Sequence, residues 1–305
     1  MSSTSFERTG ERVAIVAVLA AACCWATLGI AYDFVLERFP MSRLTVVAVR
    51  ATVAGGVLLA FVLTQSDQRR YLPVAREPRM LALLTTIGLV ATTLFYVALI
   101  YAYREAGVAI GTVLLYLSPS FVALGGWFWF QRPVTRAHAT ALVIAFIGVI
   151  GVSGAFDGGA SVAWLGLLLG IVSALSYASY SLLGEVALRR LPGLLIVAVE
   201  LSIGALGLWA VRFAVEGSEL PAAGALVGVG LITGFAVTLV PMVLYTHGLE
   251  RIGASRASML AVAEPVVAVG LAYIVLGERL SWLQVVGATA IVLSLIAVVR
   301  SRSKK

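Results

Sequence analysis

Apolar residues along this chain gather into runs of about 20, the length of helix that crosses the hydrocarbon core of a bilayer. Ten such runs are read, at 13–31, 44–63, 80–103, 109–129, 137–155, 164–184, 194–213, 222–246, 257–277 and 283–299. The interruptions between them are short. The longest, 64–79, is about 16 residues, too few to hold a soluble domain. The pattern predicts an all-α membrane protein of ten transmembrane helices.

One stretch stands apart. Residues 253–280, GASRASMLAVAEPVVAVGLAYIVLGERL, carry Glu264 and Pro265 in the middle of an apolar run. An ionised side chain costs ~2.5–3.5 kcal/mol at the bilayer centre on insertion scales. The proline removes a backbone donor and crowds the carbonyl of Ala261, four residues back. Polar, interrupted backbone at membrane depth is sustained only where it is buried in protein or lines a wet cavity. This stretch is therefore the predicted functional centre.

Composition agrees with the pattern: 61% of residues are hydrophobic and 12% charged, outside the range of soluble domains. The net charge of +7 does not indicate nucleic acid as a partner. The basic residues sit in short loops and the tail, not on a face interleaved with aromatics. Cys23 and Cys24 are adjacent in one run, so no disulfide framework is available. Arg8 and Arg12 ahead of 13–31 mimic a signal peptide, but the runs that follow make this the first span. The basic residues also set the orientation. With the N-terminus inside, the outer loops hold only Arg38, Arg43, Arg104, Arg212 and Arg279, Arg50 lies within the second run, and the remaining Arg and Lys are cytoplasmic. Both termini are expected in the cytoplasm, and an even number of spans agrees with the basic tail.

The chain also resembles itself. Val47-Ala48-Val49-Arg50 recurs as Val197-Ala198-Val199-Glu200, and Arg38-Phe39-Pro40 as Arg190-Leu191-Pro192. Ala106-Gly107 matches Ile252-Gly253, and the same offset lays Ser118-Pro119 on Glu264-Pro265. Two halves of five spans follow. Five being odd, the second half enters the membrane in the opposite sense, giving an inverted repeat of the kind found in secondary transporters. The expected organisation is a cytoplasmic tail at 1–12, a first five-helix repeat at 13–155, a second inverted repeat at 156–299 and a basic cytoplasmic tail at 300–305.

Two five-helix halves, Trp25 in the first span, Arg50 in the second, Pro119 in the fourth, and Glu264-Pro265 followed by Leu276-Gly277-Glu278-Arg279-Leu280 resemble the EamA-type branch of the drug/metabolite transporter superfamily. The resemblance covers nearly the whole chain. In the first half Phe130-Gln131-Arg132-Pro133 stands where that branch has Gly-Glu. Tyr116-Leu117-Ser118-Pro119 is similar to bacterial amino-acid exporters of the same branch. The resemblance implies a bacterial inner-membrane transporter exporting amino acids, metabolites or toxic compounds.

Three charged residues lie well inside runs, away from their ends: Arg50, Glu200 and Glu264. Glu264 is read either as a substrate-ammonium contact or proton-accepting carboxylate, or as a structural carboxylate bonded to neighbouring helices. Arg50 and Glu200 occupy equivalent repeat positions, about six residues into their helices from opposite faces. At ~1.5 Å per residue each is ~9 Å deep in a ~30 Å core, leaving ~12 Å between their levels. They are expected to act in gating or charge coupling, not as a direct bridge. Trp25, Tyr96, Tyr116, Ser118, Tyr177, Tyr180 and Tyr245 are the expected lining of an amphiphilic cavity, with core packing as the other reading. Pro119, Pro241 and Pro265 are expected helix breaks. Gly166 with Gly170, Gly224 with Gly228 and Gly230 with Gly234 allow close helix approach within the chain.

Several functions are argued against. The only lysines, Lys304 and Lys305, are in the tail, so no phosphate-binding loop is present. Asp33, Asp67 and Asp157 all fall in loops, which removes an intramembrane aspartyl protease. His138 and His247 do not make a zinc site, and no cofactor is expected. The reading reached is a secondary transporter that exports amino acids or small amphiphilic metabolites by alternating access. A broad drug or toxin exporter is the rival, with a channel or an intramembrane enzyme using His247 further off. The expected partners are a small-molecule substrate and membrane lipid. A single chain is the expected working unit, with a dimer left open, and proton exchange through Glu264 or Glu200 and uncoupled diffusion both fit.

Overall fold

A computed structural model describes residues 3–153, 163–276 and 281–300, and every regular element among them is helical. The junction between the two expected repeats, the Gly277-Glu278-Arg279-Leu280 motif and residues 301–305 lie outside the described residues.

The first helix, α1, is Ser3–Ala26; its apolar part, Gly10–Ala26, meets Ile30–Arg38 at a bend of 41°. There follow α2 (Arg43–Thr64), α3 (Pro78–Ala106), α4 (Val108–Phe130), α5 (Arg136–Val152), α6 (Trp164–Ala187), α7 (Gly193–Glu216), α8 (Ala223–Ile252), α9 (Ala254–Val275) and α10 (Trp282–Val298). Seven of these are long and apolar enough to cross a membrane, the bent pair of α1 makes an eighth, and α5 and α10 are shorter apolar helices. Side-chain caps start three of them: Ser42 accepts from the Thr45 amide at 3.0 Å, Thr135 from the His138 amide at 3.2 Å and Ser281 from the Gln284 amide at 3.3 Å. Gly107 and Gly253, at φ 84° and 78°, turn the chain from α3 into α4 and from α8 into α9, a conformation open to glycine.

Proline shapes the helices that follow those turns. The first α-helical segment of α4 is Val108–Leu115 and the second Ser118–Phe130; those of α9 are Ala254–Ala261 and Glu264–Leu276. Pro119 and Pro265 are each the second residue of the later segment. Each therefore leaves without its usual donor the carbonyl of Leu115 or Ala261, the last residue of the earlier one. The same interval separates Gly107 from Gly253, Ser118 from Glu264, and each segment end from its counterpart.

Helices α3 and α8 share a different irregularity, π-helical stretches at Ile87–Leu94 and Gly230–Leu239. In each a threonine hydroxyl reaches a carbonyl five residues back, Thr93 to Gly88 at 3.4 Å and Thr238 to Thr233 at 2.9 Å. Pro241 lies just past the second stretch, and α8 runs on through it as one 30-residue helix. The wider turn accommodates the proline, so its irregularity takes the form of a π-helix and not a break.

Packing pairs α2 with α7, α5 with α10, α1 with α8 and α3 with α6. The π stretch of α3 lies on α7 and that of α8 on α2, while α4 packs on α6 and α9 on α1. Exchanging the first five helices for the last five leaves this pattern unchanged. Glycines set the closest approaches: a Cβ on Gly55 would lie 2.8 Å from the Ser202 amide nitrogen, and one on Gly148 would lie 2.7 Å from the Gly287 carbonyl oxygen. Gly166, Gly170, Gly228, Gly230 and Gly234 also face neighbouring elements, whereas Gly224 faces open space.

Candidate functional site

Six rings form a continuous chain through the interior. Tyr96 meets Phe95 at 4.5 Å between centroids, Phe95 stacks on Tyr177 at 5.2 Å, and Tyr177 meets Trp25 edge-on at 6.4 Å. Trp25 then packs on Tyr245 at 5.6 Å and Tyr245 on Tyr180 at 5.7 Å. The rings come from α3, α6, α1 and α8, so both ends of the sequence contribute. Trp25, Tyr180 and Tyr245 are buried, while Tyr96 and Tyr177 keep partial exposure. Hydroxyl partners fix the buried end: Tyr180 bonds to Thr246, and Tyr245 to Ser181 at 2.8 Å.

At the other end, Nη2 of Arg50 donates to the Tyr96 hydroxyl, and the guanidinium carbon lies 4.6 Å from the Tyr96 ring centroid and 5.9 Å from that of Tyr32. Such cation–π contacts offset part of the cost of burying the charge. Arg50 is 1% exposed, and its Nε and Nη1 meet no acceptor. Glu264 is half-buried and opens the second segment of α9, where the helix N-terminus favours a carboxylate. Tyr116, Arg50, Tyr103 and Tyr177 lie within its electrostatic reach. Ser118, 1% exposed, opens the second segment of α4 at the position matching Glu264.

Glu200 stands apart from this group. It is fully buried in α7, with Oε1 accepting from Thr92 at 3.0 Å and Oε2 without a partner. No ion pair joins it to Arg50 among the described residues.

Sequence reasoning missed Phe95, Tyr32, Thr92, Ser181 and Thr246, whose residue types carry no signal of their own inside an apolar run. It also placed Arg212 in an outer loop. Arg212 is instead 6% exposed within α7, bonded to Thr45 at 3.2 Å, to the Gly217 carbonyl at 2.7 Å and to the Glu219 carbonyl, and paired with Glu216 at 3.4 Å. The α7 helix continues past this residue, and Thr45 at the start of α2 draws the guanidinium inward.

Among the described residues, three ion pairs join the first five helices and their flanks to the last five: Arg190 to Glu77 through two bonds of 2.7 and 2.9 Å, Arg132 to Glu185 at 2.6 Å, and Arg256 to Glu11. The bonds from Arg190 hold the Glu77 carboxyl below the usual carboxylate range. A crevice of about 290 Å³ between α4 and α6, lined by Phe121, Leu124, Trp129, Leu175 and Leu182 among others, has neither Glu264 nor any other charged residue in its lining.

The profile of the EamA-like transporter family matches the chain twice, over residues 12–154 and 164–300. An uncharacterized inner membrane transporter of Salmonella typhimurium is 26% identical over 292 residues, spanning 94% of this chain and 95% of its own length. An uncharacterized transporter of Archaeoglobus fulgidus is 29% identical over 215 residues, 68% of this chain and 73% of its own. A solved crystal structure shares the fold at a TM-score of 0.77 and 20% identity, over 93% of this chain and 95% of that one.

Proposed function

The chain belongs to the EamA-like transporter family, and from that premise we propose that it exports amino acids or small amphiphilic metabolites across a bacterial inner membrane by alternating access. Family membership makes it a membrane transporter and not an enzyme. In this reading two five-helix halves cross the bilayer in opposite senses, ten spans in all, with both termini in the cytoplasm. Three observations support it: the family profile matches each half, the glycine turn and proline-interrupted helix recur at one interval, and the packing survives exchange of the halves.

The solute site lies where the two halves meet. Trp25, Tyr96, Tyr177, Tyr180 and Tyr245 supply an amphiphilic wall, Tyr116 and Ser118 supply hydroxyls, and Glu264 supplies charge. Interrupted helices beside a charged residue give a site that can be remodelled without breaking a continuous helix. Arg50 and Glu200 act in charge coupling. The inter-half ion pairs of Glu77, Glu185 and Glu11 hold one side shut and part as the halves rock. The observation that carries the reading is the half-buried Glu264 at the Pro265 interruption, within electrostatic reach of Arg50, Tyr116 and Tyr177.

The test is uptake of labelled amino acids into proteoliposomes, with and without a pH gradient. Glu264→Gln is expected to transport far below the parent under at least one gradient. Parent-rate transport under every gradient would remove Glu264 from the mechanism. Broad drug or toxin export is the second reading, favoured by the run of six rings, and preferential uptake of cationic dyes would select it.

A further inference from the structure

Arg50 carries a fixed charge in a setting that does not complete it. The side chain is 1% exposed, its Nη2 is taken by Tyr96, and Nε and Nη1 are buried without an acceptor. Burying a guanidinium with donors empty is costly unless a countercharge is supplied. Among the described residues Glu264 is the carboxylate within its electrostatic reach, yet the two form no ion pair. Two opposite charges thus share one interior region without pairing, and Tyr116 and Tyr177 lie within electrostatic reach of Glu264.

We propose that Arg50 and Glu264 are the two ends of a dipolar binding slot. Arg50 takes a carboxylate of the solute through the donors left open at Nε and Nη1. Glu264 takes an ammonium group. The rings of Tyr177 and Trp25 meet the apolar remainder. The slot selects solutes that carry both charges over cations or anions of the same size, because either alone leaves one buried charge without its counterpart. It rests on reading this region as the transport site, and it gives Arg50 a direct contact with the solute in place of a coupling role alone.

The test uses the full-length protein in lipid nanodiscs. Binding of the twenty proteinogenic L-amino acids is measured by calorimetry, and the tightest binder is compared with its methyl ester and its N-acetyl derivative. Each derivative is expected to bind about tenfold more weakly than the parent amino acid, the size of a lost hydrogen bond to a charged group. Arg50→Gln is expected to weaken the free amino acid about tenfold while leaving the ester unchanged, and Glu264→Gln to do the same with the N-acetyl derivative spared. Arg50→Lys, which keeps the charge, separates lost binding from lost folding and is expected to recover part of the affinity. An ester that binds as well as the acid, an Arg50→Gln effect equal on both, or no amino-acid binding at all would overturn the slot. Flux of other solutes without amino-acid binding would defeat the slot and leave the transporter reading standing. Selective binding without flux in proteoliposomes would defeat the transporter reading and leave the slot.

Discussion

The Thr92 hydroxyl donates to Oε1 of Glu200 at 3.0 Å, and Oε2 of the same carboxylate has no partner. The bond crosses from the π stretch of α3 to α7, between two fully buried groups. Inter-helix hydrogen bonds in membranes average about 0.6 kcal/mol and reach about 1.7 kcal/mol. Thr92→Val is expected to lower the melting point in a Glu200 background and to have little effect in a Glu200→Leu background. A double-mutant cycle in detergent should give a coupling of about 0.5–2 kcal/mol.

Gly55 and Gly56 are neighbours with opposite surroundings. A Cβ at Gly55 would meet the Ser202 amide nitrogen at 2.8 Å and the Leu201 carbonyl carbon at 3.0 Å, while one at Gly56 would meet nothing within 4 Å. Overpacking against backbone costs about 1–3 kcal/mol, whereas alanine in an exposed helix position gains up to ~1 kcal/mol over glycine. Thermal melts of Gly55→Ala and Gly56→Ala should therefore move in opposite directions.

Gly107 turns α3 into α4 at φ 84° and ψ 157°, with open space around its Cα. Any cost of a side chain there is backbone strain, about 1–3 kcal/mol. Gly107→Ala and Gly107→Ser are expected to destabilise by similar amounts. A much larger loss for serine would point to crowding instead.

The pairing of Glu77 with Arg190 sets a pH dependence. A carboxyl held below its ordinary range contributes stability above that range and loses it as pH falls through the folded value. Glu77 is held down chiefly by the hydrogen bonds of Arg190. Wild type should melt above Glu77→Gln at pH 7. The gap should close as pH drops below the ordinary carboxylate value of about 4.

How far the sequence could be read follows from where each residue's signal comes from. Span-length runs are legible because bilayer thickness sets the length of helix that fits. Tyr177 and Trp25 are legible as interior residues because large polar-tipped rings at mid-run lie away from the headgroup level, and the two rings meet in the aromatic chain. Pro119 and Pro265 announce the helix interruptions through the donor they lack. The depth argument kept Arg50 and Glu200 apart, and their partners are Tyr96 and Thr92. Those partners were not legible in the pattern, since a hydroxyl in an apolar run does not say which helix it faces. The π stretch at Ile87–Leu94 contains no proline to signal it. Arg212 was misplaced because a run's edge does not reveal whether a long side chain turns outward or back into the fold.

The proposed transport reading requires the two halves to cross the membrane in opposite senses, and residues at matching helix ends test that requirement. Arg104 and Glu250 lie near the ends of α3 and α8, and both are solvent-exposed. In a background with Cys23 and Cys24 replaced by serine, Arg104→Cys and Glu250→Cys would each be exposed to a membrane-impermeant maleimide on intact spheroplasts. The account predicts that Arg104→Cys labels at once and that Glu250→Cys labels only after the membrane is opened. Labelling of both from the same side would contradict it.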